Sequence, residues 1–196
     1  MPLIVSVAHG ITLENLTLMV ENHIASYAFS NREYFGTVPD ISYFPDHLFD
    51  KINKTKYGIC MELNYAFSLF LTHRGYNNYL VKCHSPGSRS ETRGIFHLSI
   101  IVTLMNNKYF VDVGFGDHFT KPILLSDKTS NKYYDLNAHN TILRIDDHPL
   151  TIHDLIENYD RLLRLKPGDI ALKDILFERI YDRTQHQFVI WKQSKL

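Results

Sequence analysis

Cysteine is scarce in this sequence, because a chain of 196 residues contains only Cys60 and Cys83. Two cysteines do not make a disulfide framework, so a disulfide-stapled scaffold is excluded. Net charge is missing as well, since 21 basic residues balance 21 acidic residues. A balanced chain offers no electrostatic case for a nucleic-acid partner or for an acidic membrane surface.

Long apolar runs are also absent. No segment approaches the roughly 20 apolar residues of a membrane span, and the N-terminal run 3–8 is too short for a signal peptide and lacks its basic start. We therefore expect a cytoplasmic protein without a membrane partner. Paired Cys-x-x-Cys and His-Glu-x-x-His motifs are missing too, so no metal site is expected.

Aromatic residues, in contrast, are abundant, with 12 Tyr and 12 Phe in the chain. Most of them are expected to fill the core, although aromatic surface also suits a pocket for a flat ligand. Hydrophobic residues make up 44% of the sequence and charged residues 21%. These values are ordinary for a globular protein, and the length suffices for one compact domain, or for one domain with a small appendage.

Three residues stand in distinctive contexts: Cys60 in Gly-Ile-Cys-Met-Glu-Leu-Asn, His97 in Phe-His-Leu-Ser-Ile, and Asp112 in Val-Asp-Val-Gly-Phe-Gly. A thiol, an imidazole and a carboxylate are the parts of an activated nucleophile, in which the carboxylate orients the imidazole and the imidazole pairs with the thiolate. Each residue alone gives only weak support for an activated nucleophile, because a lone buried Cys, His or Asp is more often structural. Cys83 has no such setting and is interpreted as structural.

The contexts of these three residues resemble the arylamine N-acetyltransferase family, which has a cysteine-protease-like fold and a Cys-His-Asp triad. The family motif Arg-Gly-Gly-x-Cys-x-Glu-x-Asn is matched by residues 56–64, and the family's aspartate motif by residues 111–116. The helix that ends in Phe-Glu-Asn in the family is similar to residues 23–31. The resemblance covers roughly residues 10–125.

The chain departs from the family pattern at three positions of these motifs. Lys56 and Tyr57 stand where the family has Arg and Gly, and Ser30 stands where it has Glu. The joint change of Lys56 and Ser30 indicates a rebuilt local contact. The C-terminal region is also shorter than the family's third domain, which helps to cover acetyl-CoA.

Hydrophobic periodicity divides the chain into three regions. We expect a helical region over 1–75 that carries the nucleophile, a β-rich region over 76–125 that carries His97 and Asp112, and a short α/β region over 126–196 that covers the cleft. Residues 11–55 are predicted to be mostly helical, because positions between 13 and 23 and again between 44 and 52 fall at helical spacing, with loop signals over 22–40. Further helices are predicted over 60–71 and near 152–164. β-Branched and aromatic runs predict strands over 78–83, 95–104, 108–115, 142–145 and 187–191. The polar segment 126–140 is interpreted as a mobile lid.

A hairpin turn at Asn106-Asn107 is predicted between two of these strands. That turn places Asp112 opposite Ile101, which is four residues or ~13 Å from His97. A longer loop or a bulge is then needed to bring Asp112 and His97 together.

The fold class predicted overall is α+β, a cysteine-protease-like fold. The resemblance implies that Cys60 takes an acetyl group from acetyl-CoA as a thioester and passes it to a small-molecule amine of the arylamine or hydrazine type. It further implies that Phe29, Phe115 and Gly116 bind the acceptor. No residue is assigned to acetyl-CoA, since a solvated loop is the favoured interpretation of Arg89 and Arg93.

Two alternatives stay open beside acyl transfer. The same triad serves cysteine proteases and amidases, and a shortened C-terminal region could open the thioester to water or admit a peptide. The chain could also be a catalytically silent, acetyltransferase-like binding module. The presence of all three triad residues ranks that alternative last.

Overall fold

The computed structural model describes residues 10–35, 45–92, 94–115, 119–126, 128, 130, 132–138, 141–163, 175–182, 184 and 187–194. Its N-terminal part is helical, as predicted, with helices α1 (Leu13–Ser26), α2 (Leu48–Thr55) and α3 (Cys60–His73). Thr12 caps α1, because its hydroxyl accepts a hydrogen bond from the Asn15 N–H at 3.1 Å. Gly75 follows α3 with a φ of 84°, a left-handed conformation that suits glycine at the end of a helix.

The middle of the chain forms an antiparallel sheet with the strand order β6-β5-β4-β3-β8-β7. Its strands are β3 (Asn77–His84), β4 (His97–Leu104), β5 (Asn107–Val111), β6 (Ile123–Leu125), β7 (Tyr133–Ala138) and β8 (Thr141–Asp146). The short helix α4 (Arg89–Thr92) lies between β3 and β4. The polar segment interpreted as a lid therefore supplies an edge strand, β7, that pairs along its whole length with β8.

A second sheet has the strand order β10-β9-β1-β2. It joins two short strands of the helical part, β1 (Ala28–Ser30) and β2 (Tyr57–Gly58), to the C-terminal hairpin of β9 (Ile175–Asp182) and β10 (Gln187–Ser194). Helix α5 (Ile152–Leu163) precedes that hairpin, close to its predicted position. The hairpin reaches the helical part of the chain through the β1–β9 pairing, in which Phe29 lies opposite Arg179.

Strand β4 separates two apolar clusters, because successive side chains of a strand point to opposite faces of a sheet. Leu98, Ile100 and Val102 pack with the first cluster, which includes residues of α1, α3 and α5. Ile101 packs with the second, together with Cys83 and Phe110. Helix α3 therefore lies against the strand that begins with His97, and this packing brings the start of α3 to the start of β4.

The turn between β4 and β5 lies one residue earlier than predicted. Met105 and Asn106 occupy it, with φ values of 48° and 65°, the double left-handed conformation of a type I′ hairpin. Leu104 pairs with Asn107 and Ile100 with Val111, so Asp112 follows β5 beside Ser99 rather than opposite Ile101. The predicted turn was wrong, and no bulge is needed, because Ser99 and His97 are two residues apart on one face of β4.

No helix among the described residues is long and apolar enough to cross a membrane.

Candidate active site

Cys60 is the first residue of α3 and is half-buried. At this position the unpaired N–H groups of the first helical turn favour a negatively charged thiolate. The start of the helix is held by Glu62, whose Oε2 accepts a hydrogen bond from the Ile59 N–H at 2.8 Å. Gly58 and Ile59, which precede Cys60, are buried, so the main chain that leads into Cys60 is held in place.

The buried carboxylate of Glu62 is the centre of a polar network beneath the nucleophile. Its Oε1 accepts hydrogen bonds from Tyr34 Oη at 2.7 Å, Lys51 Nζ at 2.6 Å and Tyr159 Oη at 3.1 Å. A buried carboxylate needs such partners, because desolvation disfavours its charged form. The network ties α2 and α5 to the first turn of α3. The sequence predicted no such network, because Glu62 was recognised only as part of the motif around Cys60 and its partners lie elsewhere in the chain.

His97 and Asp112 form the closest polar pair of the site, with 2.5 Å between His97 Nε2 and Asp112 Oδ2. Burial alone would lower the pKa of His97, but the charges of Asp112 and Cys60 outweigh burial and raise it to about 10. Burial likewise acts to raise the pKa of Asp112, and His97 reverses the effect and holds it below its ordinary value. The folded protein therefore favours an imidazolium beside a carboxylate.

Cys60 completes the triad, since its side chain is close enough to that of His97 to help raise the pKa of the imidazole. Asp112 occupies Nε2 of the ring, so Nδ1 is the nitrogen left for the thiol. The main chain at Gly114 also lies close to the main chain at Cys60, because a Cβ added to Gly114 would lie 2.7 Å from the Cys60 Cα. The structure thus brings the three predicted residues together, with the loop after Asp112 pressed against the start of α3.

Asp112 has more partners than the sequence indicated. Ser99 Oγ donates to Oδ2 at 2.9 Å, and Asn64 Nδ2 donates to Oδ1 at 2.9 Å. The main-chain N–H groups of Gly114 and Phe115 donate to Oδ1 as well, at 2.8 and 2.9 Å. Asn64 lies four residues after Cys60, on the same face of α3, and that spacing is the signal by which the sequence could have assigned it to the site.

Phe29 and Phe115, the predicted acceptor-binding residues, both lie close to one cation. Arg179 Cζ is 4.7 Å from the centre of the Phe29 ring and 5.8 Å from that of Phe115. The Phe115 ring in turn packs edge-on against His97, with 5.0 Å between ring centres. Gly116 lies outside the described residues. Sequence reasoning missed Arg179, which comes from the C-terminal hairpin.

The residues that depart from the family pattern have separate partners. Ser30 Oγ donates a hydrogen bond to Glu178 Oε1 at 2.7 Å, and Arg32 forms an ion pair with the same carboxylate. Lys56 is exposed and holds its ammonium group 5.0 Å from the centre of the Tyr27 ring. Ser30 and Lys56 therefore do not share the local contact predicted from their joint change, because Ser30 contacts the C-terminal hairpin and Lys56 contacts Tyr27.

Cys83 is a core residue, as predicted. It is fully buried, and burial raises the pKa of its thiol far above the ordinary range. No group of three or more His, Cys, Asp or Glu residues in the described ranges could hold a metal ion.

The shifted pKa values make the stability of the protein depend on pH. Because His97 binds its proton more tightly in the folded protein, with a pKa of about 10 against an ordinary 6.5, its contribution is complete below pH 6.5 and is lost as the pH rises toward 10. The pKa of Asp112 is lowered from 3.8, so its contribution is lost as the pH falls below that value. We expect the free energy of unfolding, measured with urea, to fall from pH 6.5 to 10. The Asp112→Asn variant should show a smaller fall, and an equal fall would contradict the pairing.

The family comparison agrees with this geometry. A family model described as N-acetyltransferase matches residues 12–148. An uncharacterised acetyltransferase of Acanthamoeba polyphaga mimivirus is 39% identical over 196 residues, covering 90% of this chain and 92% of that protein. The liver isozyme of arylamine N-acetyltransferase from Gallus gallus is 31% identical over 108 residues, covering 53% of this chain and 37% of that protein. The chain belongs to the arylamine N-acetyltransferase family.

The comparison with solved structures confirms the predicted fold. Mycobacterium marinum arylamine N-acetyltransferase superposes with a TM-score of 0.76 at 20% identity, covering 95% of this chain and 76% of that one. The same enzyme in complex with CoA gives a TM-score of 0.73 at 18% identity over the same shares of the two chains. The cysteine-protease-like fold is thus retained in a chain that spans about three quarters of the length of its structural neighbour.

Proposed function

We propose that this protein transfers an acetyl group from acetyl-CoA to a small amine through a thioester on Cys60. The observation that carries the proposal is the grouping of Cys60, His97 and Asp112 at the N-terminus of α3, in which His97 is hydrogen-bonded to Asp112 and interacts with Cys60. Membership of an acetyltransferase family supports the type of group transferred. The complex of the Mycobacterium marinum enzyme with CoA supports the donor.

In the first step the Cys60 thiolate attacks the carbonyl carbon of acetyl-CoA and forms a carbon–sulfur bond. The bond to the sulfur of CoA breaks, and the proton on His97 passes to the departing thiolate. Main-chain N–H groups near Cys60 are suitable donors for the oxyanion of the tetrahedral intermediate. Asp112 keeps the imidazole ring in place throughout, because its Oδ2 holds Nε2.

In the second step an amine nitrogen attacks the thioester carbon. Neutral His97 takes the proton from that nitrogen, and Cys60 leaves as a thiolate, which restores the starting state. Phe29 and Phe115 supply aromatic surface for the acceptor, and Phe115 lies directly against His97. Flat aromatic amines or hydrazines fit such a surface, because rings stack favourably on other rings and on a guanidinium such as that of Arg179.

Steady-state kinetics distinguish this function from hydrolysis. We expect release of CoA from acetyl-CoA to be slow when no amine is present and to accelerate with the concentration of an aromatic amine such as anisidine. The acetylated amine should appear at the same rate as free CoA. Rapid release of CoA with acetate as the product, unaffected by the amine, would instead support a hydrolase.

A further inference from the structure

Arg179 lies where the C-terminal hairpin meets the loop that carries the catalytic carboxylate. It is half-buried on β9, directly across from Phe29 of β1. Its guanidinium lies close to both the Phe29 and the Phe115 rings, and Nη2 donates a hydrogen bond to the Gly114 carbonyl oxygen at 3.0 Å. Arg179 thereby connects three separate segments of the chain beside the triad.

The peptide unit between Gly114 and Phe115 is held at both of its polar ends. Its carbonyl oxygen accepts from Arg179, and its N–H donates to Asp112 Oδ1 at 2.9 Å. A peptide unit is planar and rigid, so the position of its oxygen fixes the direction of its N–H. The Arg179 cation also polarises this unit and strengthens the hydrogen bond on its other side.

We propose that Arg179 is a positioning residue for acyl transfer, which holds the Gly114–Phe115 peptide and through it sets Asp112, and hence His97, for reaction with Cys60. The proposal rests on the proposed function in naming the reaction. It gives the C-terminal hairpin a role at the triad, since the hairpin supplies the cation and the loop after Asp112 supplies its hydrogen-bond acceptor.

The chemistry of the guanidinium suits this position. Its plane can lie against two aromatic faces while its edge donates a hydrogen bond in a set direction. A lysine ammonium could donate to the Gly114 oxygen, but it lacks the flat surface that the guanidinium offers to the rings. Glutamine is two bonds shorter than arginine and carries no charge, so Arg179→Gln loses both the cation and the reach to the Gly114 oxygen.

A purely structural role for Arg179 can be separated from positioning by a control on the same hairpin. The neighbouring Glu178 is bonded to Arg32, an exposed residue after β1. The variant Arg32→Gln weakens the attachment of β9 to β1 without touching the Gly114–Phe115 peptide. If Arg179 served only to attach the hairpin, both variants would have the same effect on Cys60.

The test is the rate at which iodoacetamide alkylates Cys60 in the full chain as a function of pH, followed by intact-protein mass spectrometry, with buried Cys83 as an internal reference. In Arg179→Gln we expect the rise of the alkylation rate with pH to occur at higher pH, because both a cation and the support of Asp112 are lost. We also expect the acetylation rate constant with acetyl-CoA to fall roughly ten- to a hundredfold, with the apparent affinity for acetyl-CoA unchanged. Arg179→Lys should recover part of both losses.

The proposal is overturned if the alkylation profile of Arg179→Gln coincides with that of the unsubstituted protein, or if Arg32→Gln moves the profile equally. Should Arg179→Gln fail to fold, the intermediate profile expected of Arg179→Lys decides instead. Alkylation needs no acetyl-CoA, so its outcome is independent of the proposed function. A chain that forms no acetyl adduct but shows the shifted profile would disprove the transferase and keep the positioning role.

Discussion

Replacement of Asp112 by asparagine should reduce the rate of acyl transfer by about 10⁴-fold. Three donors converge on Oδ1, from Asn64, Gly114 and Phe115, and the amide oxygen of the substituted side chain will turn toward them. Its NH₂ group then faces Nε2 of His97, which must become an acceptor. The ring is left with its proton on Nδ1, toward Cys60, in the tautomer that cannot take a proton from the nucleophile.

The same substitution should cost about 1–3 kcal/mol of stability, because the Ser99 hydroxyl and the His97 ring lose their shared acceptor in the interior. Asp147→Asn is the matched control. Asp147 is another well-bonded carboxylate, which accepts from Tyr79 at 2.5 Å, Lys108 at 2.8 Å and Lys128 at 2.7 Å. It should lose comparable stability and keep its rate of Cys60 acetylation. Equal rates for the two variants would remove Asp112 from the mechanism.

Gly114→Ala should be strongly damaging although it adds only one methyl group. The new Cβ would lie 2.7 Å from the Cys60 Cα, 2.8 Å from Asn64 Nδ2 and 3.0 Å from the Cys60 carbonyl oxygen. Two of these are main-chain atoms that cannot rotate away, so the loop after Asp112 must separate from α3. We expect a loss of about 1–3 kcal/mol and a fall of roughly a hundredfold in the acetylation rate, because the triad is pulled apart.

Gly10→Ala provides the comparison, measured by urea unfolding and by the rate of Cys60 acetylation. Its Cβ would meet Thr12 Cγ2 at 3.5 Å and Asn15 Nδ2 at 3.8 Å, which are ordinary contacts. Stability should change by less than about 0.5 kcal/mol. If Gly114→Ala proved as mild as Gly10→Ala, the close approach of the catalytic loop to α3 would not be required for function.

The position of Cys60 at the start of a helix could be predicted because the signals are local. Gly58 before the helix, apolar positions at helical spacing and Gly75 after it place Cys60 at the start of α3, as the structure has it. The motifs around His97 and Asp112 carried the family resemblance, and the family is confirmed. These features depend on residues that are neighbours in the chain.

The register of the β4–β5 hairpin could not be predicted from the same signals. Asn106-Asn107 is a stronger turn pattern than Met105-Asn106, since asparagine tolerates a positive φ and methionine does not favour it. The structure nevertheless places Met105 at a φ of 48°, with the side chain 80% exposed. A shift of the turn by one residue brings Asp112 beside Ser99. Pairing of the remaining residues of β4 and β5 outweighs the preference of Asn106-Asn107 for the turn.

The residues that support the triad from a distance were missed for a different reason. The segment 175–182 interrupts its apolar residues with Glu178 and Arg179, which weakens the pattern of a strand. Both charges are explained only by tertiary contacts: Glu178 accepts from Ser30 and Arg179 donates to the Gly114 carbonyl. Such pairs, more than 60 residues apart in sequence, have no local signature.

Intact-protein mass spectrometry after mixing with acetyl-CoA, in the absence of an amine, tests the central claim most directly. An enzyme with a covalent intermediate accumulates that intermediate when the second substrate is withheld. We predict one acetyl group on the chain, located on Cys60 by peptide mapping, absent from Cys60→Ala and removed by an added aromatic amine. A chain that remains unmodified at Cys60, or one that is acetylated equally well in Cys60→Ala, would contradict the proposed transfer through a thioester.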